Sequence, residues 1–154
     1  MSRRLQEPQI PVAIEAMTIA DYDPARALLS SIEGVRMRST DSHEATERYL
    51  LRNPGLSFVA RSGDKIVGCV MCGHDGRRGY LHHLAVEPGF RRQGIGSVLV
   101  SRCIAALEQL GIQKTHIEVL TENTLGHQYW TSQGWQRRTD IVQYSFSSSE
   151  DPNV

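Results

Sequence analysis

A mixed α/β fold, with one central sheet of about six to seven strands flanked by about four helices, is what this 154-residue chain predicts. Three observations carry that expectation. Three apolar segments of strand length follow one another between residues 56 and 86, divided by turn residues. A stripe at three-and-four spacing comes next, Ile95, Val98, Leu99, Cys103, Ala106, Leu107 and Leu110, as an amphipathic helix requires. Between the last strand and that helix lies a basic, glycine-rich turn, Arg91-Arg92-Gln93-Gly94-Ile95-Gly96-Ser97. One domain over residues 12–146 accommodates all of this, and residues 1–11 and 147–154 read as flexible termini.

Taken in order, Val12 to Met17 alternates as a first strand. Asp21 to Ile32 carries Ala25, Leu28, Leu29 and Ile32 as a helix that Gly34 stops. Thr40-Asp41-Ser42-His43-Glu44 is a helix-start signature, with an Asp-x-x-Glu capping box, for a second helix reaching about Arg52 before Asn53-Pro54-Gly55. Leu56 to Arg61 and Ile66 to Cys72 follow as strands around a Ser62-Gly63-Asp64-Lys65 turn. Asp75-Gly76 then turns the chain into Tyr80 to Val86. The long helix ends at Gly111, and Thr115 to Leu120 is rich in β-formers. Asn123 caps a helix holding Leu125, Tyr129 and Trp130 and ended by Gly134. Gln136 to Phe146, divided near Thr139-Asp140, reads as a last hairpin.

Lys plus Arg and Asp plus Glu balance at 17 each, so no electrostatic case exists for nucleic acid or an anionic membrane as a partner. No apolar run approaches the ~20 residues of a membrane-spanning helix, and the start lacks the apolar stretch of a signal peptide. The expected location is cytoplasmic. Cys69-Val70-Met71-Cys72 suggests redox or zinc chemistry, but three residues apart on a strand means opposite faces, and no second ligand pair stands at zinc spacing. The expectation is buried, reduced cysteines and no metal. Cys103 sits in the apolar stripe and is no nucleophile, and no Gly-x-Ser-x-Gly elbow occurs.

Physically, the 91–97 turn is an anion site. Gly94 and Gly96 let phosphate oxygens reach the backbone, unpaired N–H groups at the helix start point outward, and Arg91 and Arg92 add charge. A bland βα turn is the competing view. A Walker loop would need Gly-x-x-x-x-Gly-Lys-Ser/Thr, and the dinucleotide fingerprint would need a glycine where Leu99 stands; neither is present. The longer string Leu84-Ala85-Val86-x-Pro88-x-x-Arg91-x-x-Gly94-x-Gly96 resembles the coenzyme A pyrophosphate loop of the GNAT superfamily of acyl-CoA-dependent N-acyltransferases. The resemblance extends from Val12 to Phe146 and is weakest over residues 18–55, where acceptor-binding helices vary in that superfamily.

The second half adds to it. Ile117-Glu118-Val119 with Asn123, Gly126, Tyr129-Trp130 and Gly134-Trp135 is similar to Leu-x-Val-x-x-x-Asn-x-x-Ala-x-x-Phe-Tyr-x-x-x-Gly-Phe. Gly126 replaces the usual alanine at some cost in helix propensity. Trp130 stands where many members carry the tyrosine that protonates the CoA thiolate, a task an indole N–H cannot perform. Tyr129 next door points about 100° away on the helix and reads as a core aromatic. The segments 53–60 and 72–84 also resemble a bacterial subgroup of undefined substrate in which tryptophan recurs at that position.

The resemblance implies direct attack of a neutral primary amine on acetyl-CoA, a cosubstrate, in a ternary complex. Arg91, Arg92, Gln93, Gly94, Ile95, Gly96 and Ser97 would hold the pyrophosphate, and Leu84, Ala85 and Val86 the pantetheine and acetyl carbonyl. Asn123 and Trp130 would lie near the thiol. A general base is needed, with Glu118 and His83 the candidates. His82 and His83 are neighbours on a strand, so at most one should face the cleft. The alternative function is a non-catalytic acyl-CoA-binding sensor. The acceptor, a small molecule or a peptide amine, and a homodimeric state both stay open. Glu33, Asp41 and Glu44 are candidates for an acidic acceptor pocket.

Overall fold

The structure, a computed structural model, describes residues 11–154. The expected leader therefore lies outside the described residues, except for Pro11. A single antiparallel run, β1 (Ala13–Ala16), β2 (Phe58–Ser62), β3 (Lys65–His74) and β4 (Gly79–Val86), is extended by a parallel β5 (Thr115–Ile117), in the order β1-β2-β3-β4-β5. Around it lie α1 (Tyr22–Ser31), α2 (His43–Arg52), α3 (Ile95–Gln109) and α4 (Thr124–Ser132).

The strand β3 is buried along almost its whole length because both sheet faces are covered. Cys69 and Met71 turn toward α1, packing with Ala25, Leu28 and Leu29, while Val70 and Cys72 turn toward α3, packing with Leu99, Cys103 and Leu107. That period of two separates the two cysteines of Cys-x-x-Cys onto opposite faces. All three cysteines are free and buried, and desolvation pushes the Cys69 thiol up to about 12, so it is inert at neutral pH. At the sheet edge, Arg61 of β2 bridges Glu15 of β1 (2.7 Å) and the buried Asp21.

Two features position the site. At β4 the ladder slips: Met71 pairs with His82 but Cys69 pairs with Ala85, so Val70 faces both His83 and Leu84 in a β-bulge. His83 takes the left-handed conformation there, with φ of 54°. Beyond it, β4 and β5 part. They pair only over Gly79–Leu81 and Thr115–Ile117, after which β4 runs on to Val86 with β3 alone beside it. The expected strand 115–120 is thus cut short by the splay.

The hairpin expected over 136–146 does not form, and among the described residues the sheet has five strands rather than six or seven. Ile141, Val142, Tyr144 and Phe146 are 61–93% exposed. Asp140, at the expected turn, binds Arg138 two residues back (3.0 Å), and no glycine is present to supply a left-handed turn. Alternation without a face to bury does not make a strand. Past it, Ser39 donates its backbone N–H to Asn153 O (2.9 Å) and its hydroxyl to Asp151. No helix among the described residues is long and apolar enough to cross a membrane.

Candidate active site

The splay opens a cleft of about 2100 Å³. Its floor is Leu81 to Val86, one wall is the 91–97 loop with α4, and the other is α2 with residues 32–41. Every residue expected from sequence to bind or act lines it, except Gln93 and Glu44, which are exposed and lie off the cleft.

The loop is built as an anion nest. Arg92 and Gly94 both adopt left-handed backbones, φ 65° and 78°, with Gln93 between them and α3 starting at Ile95. Such alternation turns successive N–H groups toward one point at the positive end of a helix. Arg91 pins the loop by donating Nε–H to Val86 O (3.0 Å). A Cβ at Gly94 would meet nothing within 4 Å, so the backbone there is open to a ligand. A Cβ at Gly96 would stand 3.4 Å from the Tyr129 hydroxyl. That hydroxyl is buried without a hydrogen-bond partner. A coenzyme A diphosphate fits this set of donors. Ser97 donates its hydroxyl to Gln133 Oε1 (3.1 Å), so its backbone is the part left for the loop.

Ala85 packs its methyl into the core under the sheet and offers the cleft its main chain. Asn123 accepts the Gly126 N–H (3.0 Å) as the cap of α4. Trp130 is 8% exposed, stacked edge-on against Tyr129 and Trp135 at 5.0 and 4.6 Å, with one border on the cleft. Tyr129, read from sequence as core alone, packs against the core and also brings its hydroxyl to the loop.

The two histidines correct the strand expectation: both line the cleft, because the bulge breaks the alternation between them. His83 Nε2 lies 2.7 Å from Asp41 Oδ1. Asp41 is free to do this because Ser42, not Asp41, caps α2, its hydroxyl accepting the Ala45 N–H (3.2 Å). The second oxygen of Asp41 accepts the Arg38 N–H (2.7 Å). Burial raises the Asp41 pKa, but the His83 bond, the Arg38 bond and the charges of His83 and His82 outweigh it, and the carboxyl stays below its ordinary value. For His82, desolvation by the cleft walls and then the neighbouring His83 lower the pKa, against the pull of Glu118 and Asp41. Glu118 is exposed and accepts a bond from Gln143 Nε2 (2.8 Å). Asp41 as the histidine's partner is what sequence reasoning missed. Its signal was a helix start offering two caps where one suffices.

Among the described residues no group of His, Cys, Asp and Glu is arranged to hold a metal. The model of the acetyltransferase (GNAT) family matches residues 23–135. A relative named acetyltransferase in Pectobacterium atrosepticum is 43% identical over 77 residues, 50% of this chain and 55% of that protein. The chain thus spans about half the length of the curated relatives it matches. Among solved structures, the aminoglycoside N-acetyltransferase AAC(6')-Iy in complex with CoA superposes with a TM-score of 0.71 at 18% identity, over 88% of this chain and 95% of that one. The ribosomal-protein-S18-alanine N-acetyltransferase of Escherichia coli gives 0.68 at 20% identity, over 84% and 80%. With a family model covering most of its length and this fold beneath it, the chain belongs to the acetyltransferase (GNAT) family.

Proposed function

We propose that the chain is an acetyl-CoA-dependent N-acetyltransferase, moving an acetyl group to a primary amine by direct attack in a ternary complex. What carries this is one juxtaposition: the anion nest at 92–96 and the Asp41–His83 pair open onto the same cleft, on either side of the β4 bulge. Bound acetyl-CoA supplies the activated acyl group. The Arg91–Ser97 loop holds its diphosphate, and Tyr129 donates its free hydroxyl there. Within Leu84–Val86, the backbone N–H groups that turn away from β3 meet the carbonyl oxygen as negative charge grows on it, while Ala85 stays paired with Cys69.

His83 takes the amine proton. With Nε2–H donated to Asp41, its Nδ1 keeps a lone pair that no described group engages. Glu118 is the second candidate, and the Asp41 bond favours His83 over it, because an oriented base loses less freedom in the reaction. A cytoplasmic setting fits three unpaired cysteines. Trp130 supports a second reading, a non-catalytic acyl-CoA sensor, since the indole filling that position offers no acid for the departing thiolate.

Calorimetric titration with acetyl-CoA, free CoA and ATP tests the first half. Saturable binding of both CoA species and none of ATP is expected; no CoA binding withdraws the proposal. Thiol release from acetyl-CoA over a panel of primary amines tests the second half. Binding without release across the panel selects the sensor.

A further inference from the structure

The α2 helix turns one face to the cleft. Ala45, Arg48, Tyr49 and Arg52 line it, at offsets that share one side of a helix. Tyr49 anchors this face over β4, its ring 6.1 Å from that of His82. Arg48 and Arg52 are exposed, and neither pairs with a carboxylate among the described residues.

The acidic groups of the same cleft are occupied. Asp41 holds His83 (2.7 Å), Glu118 accepts from Gln143 (2.8 Å), and Glu122 pairs with Arg36 (3.8 Å). Only Glu33 remains unpartnered among the described residues lining this wall, against Arg38, Arg48 and Arg52. The uncommitted charge on the acceptor side is positive. A polycationic amine would meet guanidinium groups there, and an anionic one would meet partners.

The helix also sets a distance. It starts beside Asp41 and His83 and ends where Asn53 Oδ1 accepts the His74 N–H (3.2 Å), so it runs away from the proposed base along the sheet. At ~1.5 Å per residue, Arg48 and Arg52 stand roughly 8 and 14 Å from its first residue. An extended peptide advances ~3.3–3.6 Å per residue, so an amine at His83 would put its third to fifth residues beside the two arginines. The cleft, at about 2100 Å³, exceeds the ~300–1,000 Å³ of a small-ligand pocket and leaves room for a chain as well as a coenzyme.

We propose that the acceptor is the N-terminal amine of a peptide carrying carboxylates at its third to fifth positions, which Arg48 and Arg52 bind. This rests on acetyl transfer at the same cleft. The test compares two hexapeptide amides, Ala-Ala-Glu-Ala-Glu-Ala and Ala-Ala-Arg-Ala-Arg-Ala, as acceptors, following thiol release from acetyl-CoA with the native chain and the double variant Arg48→Glu/Arg52→Glu. The native chain should favour the glutamate peptide by about tenfold in kcat/KM, what two exposed ion pairs supply, chiefly through KM. The variant should invert the preference with acetyl-CoA affinity unchanged. Equal use of the peptides, preference for the arginine peptide, or an unchanged preference in the variant overturns the proposal. So does acetyl-CoA binding with no peptide acetylated. Failure to bind acetyl-CoA at all is a different result: it removes the acetyltransferase proposal itself, and this one with it. Circular dichroism melting confirms that the variant folds.

Discussion

Replacing Gly94 separates the backbone requirement of the nest from its charge. Gly94 sits at φ 78° with nothing within 4 Å of where a Cβ would be. Alanine therefore fits in space and is charged only the left-handed strain, about 1–2 kcal/mol. Glutamate carries the same strain and adds a carboxylate beside the proposed diphosphate. Two like charges ~5 Å apart repel by about 1 kcal/mol in water and about 3 kcal/mol at the effective dielectric of a protein surface. Gly94→Glu should therefore bind acetyl-CoA roughly 5- to 200-fold more weakly than Gly94→Ala. The two variants should unfold at similar temperatures. Calorimetry at low and at high salt is the assay, and salt should narrow the gap, since the repulsion is exposed to screening. If Gly94→Glu binds within twofold of Gly94→Ala at low salt, the diphosphate does not lie on this loop.

Other perturbations test single groups. His83→Gln should lower kcat by roughly 10²–10⁴-fold with acetyl-CoA affinity kept, whereas Glu118→Gln should change it little; the reverse pattern in steady-state kinetics moves the base to Glu118. Tyr129→Phe removes a buried hydroxyl that has no partner in the free chain. It should leave thermal stability unchanged or raised while weakening acetyl-CoA binding by about tenfold, and equal affinity by calorimetry would return Tyr129 to a packing role. The Asp41 pKa is lowered on folding, so its contribution to stability is present above the ordinary carboxylate value and is lost as pH falls through the lower folded one. Urea unfolding from pH 7 down to pH 3 should show that loss in the native chain and a flatter profile in Asp41→Asn.

The legible parts of this chain were those specified locally. Gly94 and Gly96 beside Arg91 and Arg92 defined the loop because backbone conformation and charge are both written in residue type. Asn53-Pro54-Gly55 and Gly111 marked helix ends for the same reason. What stayed hidden depends on partners distant in sequence. Thr115 to Leu120 has β-formers throughout, yet pairs only to Ile117, since what ends it is the divergence from β4. Ile141, Val142, Tyr144 and Phe146 have strand propensity but no face to cover, so the hairpin is absent. Asp41 has the residue type and place of a cap, yet Ser42 holds that position, and 42 residues of separation stand between the carboxylate and His83.

The extra residue in β4 has a consequence for how this strand can change. Deleting His83 would restore an unbroken ladder from Gly79 to Val86 and relieve a left-handed non-glycine residue, so the shorter chain has local reason to be no less stable. Yet the pairs on either side of it, Met71 with His82 and Cys69 with Ala85, would be kept, so the deletion leaves the register intact and takes away the bend and extra twist that the bulge puts between them. Insertions and deletions here therefore act on the angle at which two parts of one site meet: the acceptor side, at His82, and the donor side, at the helix that starts at Ile95. A point substitution at His83 removes one side chain. A one-residue deletion at the same place removes the bend as well.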